Sequence, residues 1–123
     1  MRNPRETLKA ALIQERFFCE AKAFSPHSCQ GGLELHEAIY TRDDARASVK
    51  AKTYIIDRLN CAILCSYAHQ KWGRSAAWRS WFVGKQIGAF GRLAMENYVS
   101  GAPIRIRRTL EELLAPSSNA KQD

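Results

Sequence analysis

The sequence predicts a small, mainly helical α+β domain, and three features carry that reading. Its 123 residues fall within the roughly 100–200 that one domain occupies. Apolar residues recur at helical spacing in the opening, central and C-terminal stretches. Between them, 33–40 alternates like a half-buried strand and 60–64 is a short apolar run of strand length. With 46% hydrophobic and 25% charged residues, the composition is that of an ordinary globular chain. It excludes a chain that is disordered throughout, a collagen-like chain and a repeat array.

Each element has its own warrant. Pro4 suits a first helical position, and Leu8, Ala11, Leu12 and Glu15 follow at helical spacing. Phe17-Phe-Cys19 reads as a short strand or the entry to a tight turn. Residues 24–32 are loop by composition. After the strand over 33–40, Thr41-Arg-Asp-Asp44 is placed to cap a helix running to about Leu59, with Ala45, Val49, Tyr54, Ile55 and Leu59 on its apolar side. Asn60 to Leu64 forms a second short strand or turn, and a helix begins at Ser66. Gly73 and Gly84 are expected to break or kink the pattern. Residues 76–99 otherwise form one or two amphipathic helices with Trp78, Trp81, Phe82, Ile87, Phe90, Leu93 and Tyr98 inward. A last short helix carries Leu110, Leu113 and Leu114. At helical spacing, Trp72, Trp78 and Trp81 read as core.

Charge narrows the function. Nineteen Lys and Arg against twelve Asp and Glu leave +7, which points to an anionic partner, nucleic acid ahead of a membrane surface. The excess is concentrated late. Lys71, Arg74, Arg79, Lys85, Arg92, Arg105, Arg107 and Arg108 share their stretch with a single acidic residue, Glu96. These eight are the candidate phosphate contacts. No run approaches the ~20 apolar residues of a spanning helix. The basic N-terminus leads into Ala10-Ala-Leu-Ile13, which Gln14, Glu15 and Arg16 interrupt too soon for a signal peptide. The expectation is a cytoplasmic protein, in which four cysteines are ligands or buried thiols rather than disulfides.

Two of the three histidines stand in a recognisable frame. Glu34-Leu-His-Glu-Ala-Ile39 is followed by Asn60-Cys-Ala-Ile-Leu-Cys-Ser-Tyr-Ala-His69. A strand carries His36, an insertion follows, and Asn60 precedes by nine positions a histidine that opens a helix, with Leu64-Cys65 between. This resembles the HNH, or His–Me finger, endonuclease family. His69-Gln-Lys-Trp-Gly73, Trp78-Arg-Ser-Trp-Phe82 and Lys85-Gln-Ile-Gly88 extend the resemblance towards phage and prophage members, over roughly residues 17–90.

The resemblance implies a ββα-metal core with flanking helices and one divalent ion, Mg²⁺ or Mn²⁺ ahead of Zn²⁺. It implies hydrolysis of DNA phosphodiester bonds, with backbone contacts that carry little sequence specificity. His69 would be a metal ligand and Asn60 would orient the base through hydrogen bonds. His36 and Glu37 would share the base and ligand roles. In one register His36 is a ligand and Glu37 the base; in the other His36 is the base and Glu34 or Glu37 helps hold the ion. Gly73 stands where members with a His-x3-His helix place their last ligand. The alternative is a catalytically inactive member, kept as a zinc-stabilised DNA-binding or partner-binding module. The domain would span 1–115, with a motif core of about 17–75, basic helices over 76–115 and a disordered tail at 116–123.

Many HNH proteins also hold a structural Zn²⁺ on two Cys-x2-Cys knuckles. Here Lys22 and Ala68 replace the second cysteine of each. Cys29 and Cys61 are present elsewhere, so a tetrahedral site would use Cys19, Cys29, Cys61 and Cys65, or three of these thiolates with His27. The other reading of the cysteines is as small buried residues.

Overall fold

A two-stranded ribbon and the helix that follows it organise the chain. In the computed structural model, which describes residues 3–46 and 48–115, β1 (Leu33–Glu37) pairs antiparallel with β2 (Cys61–Cys65). Leu33 lies opposite Cys65, Leu35 opposite Ile63, and His36 opposite Ala62. α3 (Ser66–Trp72) starts directly where β2 ends, so strand, strand and helix form one unit. The molecule is a small α+β domain built around it. The tail expected at 116–123 lies outside the described residues.

The two faces of the ribbon differ because side chains alternate along a strand. Leu35, Cys61 and Ile63 pack with Leu12 of α1 (Pro4–Arg16) on one side. Ala62 and Leu64 join the main core on the other. α1 begins as the sequence indicates: Asn3 caps it by accepting a bond from the Glu6 N–H at 2.8 Å, and Pro4 is its first residue. It ends at Phe17, whose φ of 71° is left-handed. Of the two readings of 17–19 the turn is therefore the one observed, and a short 3-10 turn, Glu20–Lys22, follows.

Three boundaries depart from expectation. β1 stops at Glu37 rather than running to Tyr40, because the N–H groups of Ile39 and Tyr40 turn to the side-chain oxygen of Asn60. The long helix expected after Thr41 is reduced to α2 (Val49–Tyr54), capped by Ser48. Upstream, Thr41 and Asp44 bond each other's main-chain N–H groups and hold a separate turn. Finally, Gly84 sits inside α4 (Ala76–Phe90). The break falls at Gly91, whose φ of 96° suits glycine, before α5 (Arg92–Ser100).

α6 (Leu110–Leu114) closes the fold with a reciprocal capping box between Thr109 and Glu112. The core centres on fully buried Trp78, Phe82, Tyr40 and Met95. Burying a side chain such as Phe82 stabilises the fold by roughly 2–3 kcal/mol. Trp72 is buried and Trp81 packs on the edge, in keeping with their reading as core.

One buried carboxylate ties distant elements together. Glu20, 4% exposed, accepts bonds from Arg16 Nη1 at 2.8 Å and from the Ile63 N–H at 2.6 Å. It also forms an ion pair with Lys85 of α4. Arg16 Nη1 reaches the Cys61 carbonyl at 2.9 Å as well.

Candidate functional site

The loop before β1 and the start of α3 build a cluster of sulfur and nitrogen. Gly31, with φ of 78°, lets the loop press against Ser66; a β-carbon there would lie 2.6 Å from that of Ser66. The Gly32 and Gln30 carbonyls accept bonds from the Ser66 and Tyr67 N–H groups, which α3 itself cannot satisfy. The loop thus delivers His27 and Cys29 to Cys65. Cys19, at the entry to the 3-10 turn, completes the group.

His27 Nε2 lies 3.6 Å from Cys19 Sγ, 3.7 Å from Cys29 Sγ and 3.5 Å from Cys65 Sγ. All four ligand atoms fall within 4.8 Å of one another. For bonds of about 2.3 Å to sulfur and about 2.05 Å to nitrogen, tetrahedral geometry puts nitrogen and sulfur about 3.6 Å apart. The set could therefore hold a metal ion such as Zn²⁺. His27 Nδ1 is bonded to the Ser25 carbonyl at 2.9 Å, which leaves Nε2 for the centre. Burial pushes the Cys65 thiol up, but the Ala68 and Gln30 N–H groups and His27 outweigh it, bringing it down to about 6. A thiolate is the form a metal takes.

Cys61 stands apart from this cluster. Its Sγ donates to the Ile55 carbonyl at 3.4 Å, and burial pushes the thiol up to about 12. Of the two sets anticipated, the one with three thiolates and His27 is assembled. The four-thiolate set is not, because Cys61 and Cys65 lie at opposite ends of one strand, about 13 Å apart at ~3.3 Å per residue.

A second site lies further along α3. His36 and His69 are brought together with ring centroids 4.9 Å apart. His36 is 5% exposed, and its Nε2 is buried without a hydrogen-bond partner. Burial, then the nearby His69, pushes its imidazole down to about 3, so the ring is neutral and keeps a lone pair. His69 Nδ1 is bonded to Glu34 Oε1 at 2.7 Å, and Ser66 donates to Glu34 Oε2 at 2.6 Å. The Ser66 hydroxyl, then His69, hold the Glu34 carboxyl below the usual carboxylate range.

Asn60 is fully buried, and all its side-chain hydrogen bonds go to backbone groups. Its Oδ1 accepts from the Ile39 N–H at 3.0 Å and the Tyr40 N–H at 2.7 Å. Its Nδ2 donates to the Tyr40 and Ile55 carbonyls at 2.9 and 2.8 Å. That one side chain bonds two N–H groups and a carbonyl of the loop leaving β1, and the Asn60 main-chain carbonyl accepts from the Ala38 N–H at 2.8 Å. Glu37 faces the other side of the ribbon from His36 and forms an ion pair with Arg5 of α1.

Gly73 offers no ligand, and a β-carbon there would run into the His69 carbonyl oxygen. Space remains open instead. A cleft of about 760 Å³ is bordered by His36, Glu37 and His69 and by the cations Arg42, Lys71, Arg74 and Arg79. Three of these cations belong to the basic set read from the sequence. Arg42 does not; its place directly after Thr41, at the end of the loop Asn60 holds, was the available signal.

The other basic residues are elsewhere. Lys85 is paired with Glu20, and Arg92 with Glu96 at 2.9 Å and Glu111 at 3.4 Å. Arg108 lies 3.6 Å from Asp44, and Arg107 donates to the Ala102 carbonyl at 3.0 Å. Arg105 is exposed away from the cleft lining. Among the described residues no helix is long and apolar enough to cross a membrane.

No family model matches this chain, and neither a curated protein nor a solved structure does.

Proposed function

We propose that the chain is a metal-dependent DNA endonuclease or nicking enzyme of the HNH type, stapled by a Zn²⁺ on Cys19, His27, Cys29 and Cys65. The observation that carries this reading is the buried, unpartnered Nε2 of His36 beside His69 at the edge of a basic cleft. Buried polar atoms are rarely left unpaired without a reason, and a missing ligand is one such reason. When bound to His36 and His69, Mg²⁺ or Mn²⁺ would offset the charge developing on the scissile phosphate and the leaving oxygen.

The protein's own groups do the rest. Arg42, Lys71 and Arg74, which all line the cleft, grip the phosphate backbone, and such contacts position DNA without reading sequence. Asn60 holds the loop that carries Arg42. Glu37 also borders the cleft, and it can take the proton of the attacking water only by leaving Arg5 and turning past the ribbon edge. His36 is thereby assigned to the ion.

A second reading is a DNA-binding module without catalysis. Gly73 in a ligand position and the Arg5 side chain paired to Glu37 favour it. Plasmid nicking with Mg²⁺ or Mn²⁺ decides between them, run beside a gel-shift measurement of binding. The endonuclease reading expects nicking by the wild type. His36→Ala and His69→Ala should lose at least about 100-fold of it while still binding DNA. Binding without nicking, indifferent to both substitutions, would leave the second reading standing.

A further inference from the structure

We infer that Glu34 is a positioning residue: with Ser66 it locks the His69 ring in the form protonated at Nδ1, so that Nε2 keeps its lone pair for a divalent cation shared with His36. The inference deepens the proposed function and rests on His36 and His69 being the cation pair.

The geometry is specific. A carboxylate can only accept, so the 2.7 Å contact between His69 Nδ1 and Glu34 Oε1 places the proton on Nδ1. Glu34's second oxygen accepts from Ser66 at 2.6 Å, so the carboxylate is held by two side chains at once with its first oxygen on the ring. Ser66 is itself pinned, because Gly31 packs against its side chain. The ring's other edge faces the cleft: a β-carbon at Gly73 would lie 3.4 Å from His69 Cδ2, the atom next to Nε2.

Glu34 does not line the cleft, although His69 does. It therefore acts through the imidazole and is not itself a ligand. A carboxylate behind a ligating histidine sets the tautomer and ring angle, and its loss typically weakens metal binding 10–100-fold.

The test uses ¹⁵N-labelled protein with Zn²⁺ on the cysteine cluster, as wild type, Glu34→Ala and Glu34→Gln. Long-range ¹H–¹⁵N correlations, at a pH where the ring is neutral, report which His69 nitrogen carries the proton. Mn²⁺ binding is read in parallel from loss of the free-ion electron paramagnetic resonance signal. The wild type should carry its proton on Nδ1. Glu34→Ala should shift it towards Nε2 and weaken Mn²⁺ binding by roughly 10–100-fold, with an unchanged melting temperature. Glu34→Gln, whose carbonyl still accepts, should recover most of both. A wild-type proton on Nε2, or a Glu34→Ala variant equal to wild type in tautomer and Mn²⁺ affinity, would overturn the role of Glu34. Failure of the wild type to bind Mn²⁺ at all, with the proton on Nδ1, would overturn the cation pair instead.

Discussion

Cys65 and His27, 38 positions apart in the chain, stand 3.5 Å apart from sulfur to nitrogen. Cys65 also accepts the Ala68 N–H at 3.4 Å and so caps the helix that bears His69. A metal at this point would fasten the loop to the helix.

Metal content should follow the geometry and not the cysteine count. Cys19→Ser, Cys65→Ser and His27→Ala are expected to lose bound metal, whereas Cys61→Ser keeps it. Elemental analysis of the purified variants reads this directly. Chelating the metal from the wild type should lower the melting temperature by on the order of 10 °C, since binding free energy at such a site becomes folding free energy.

Asn60→Ala should be among the most damaging single changes. It strips partners from two N–H groups and two carbonyls in a fully buried place. The expected loss is roughly 3–5 kcal/mol in urea unfolding. A loss under about 1 kcal/mol would mean that the loop is held by something other than this amide.

Cations at the cleft should behave differently from those paired elsewhere. Arg42→Ala and Arg74→Ala should each reduce the slope of log affinity for DNA against log salt by about 1. Lys85→Ala should leave that slope unchanged, because its partner is Glu20. It should instead cost roughly 1–2 kcal/mol of stability, reduced from the buried-pair range by the partial exposure of the lysine.

Acid should weaken the metal-free fold through His36. Its folded-state imidazole is pushed down to about 3, mainly by burial, while the unfolded chain takes up the same proton near about 6.5. The contribution is therefore complete above about 6.5 and is lost as the pH falls towards about 3. In that window the slope from this group approaches ~1.4 kcal/mol per pH unit. Urea midpoints measured between about pH 5 and about pH 7 should show it, and His36→Gln should remove about one proton's worth of slope. Equal slopes in both proteins would show that the ring takes up its proton equally in the folded and the unfolded chain.

Periodicity made most of the fold legible, because helices such as Pro4–Arg16 and Leu110–Leu114 carry both an apolar stripe and their caps. Where it failed, a side chain or a dihedral intervened. The spread of β1 to Tyr40 was lost to the Asn60 amide, and the break expected at Gly84 moved to Gly91, where only the backbone angle distinguishes the two. The approach of His36 to His69, 4.9 Å between ring centroids, is what the resemblance of the His36–Asn60–His69 frame implies, not something periodicity alone would give. The partner that replaces Cys61 was harder to read, since His27 reaches the cluster through a loop turned at Gly31. Strand length alone separates Cys61 from Cys65. Strand alternation puts Glu34 on the face of His36, but its contact with His69 Nδ1 and Ser66 rather than with an ion depends on how α3 leaves β2.

The carboxylate of Glu20 has a bearing on how the molecule can be divided. It takes one cation from the first helix, another from the fourth, and an amide from the second strand. A fragment ending near Gly73 would keep every histidine and cysteine yet lose Lys85, one of the two cations paired with that carboxylate. The compact metal-bearing portion is thus no free-standing module, and heat should melt both halves of the chain in a single transition.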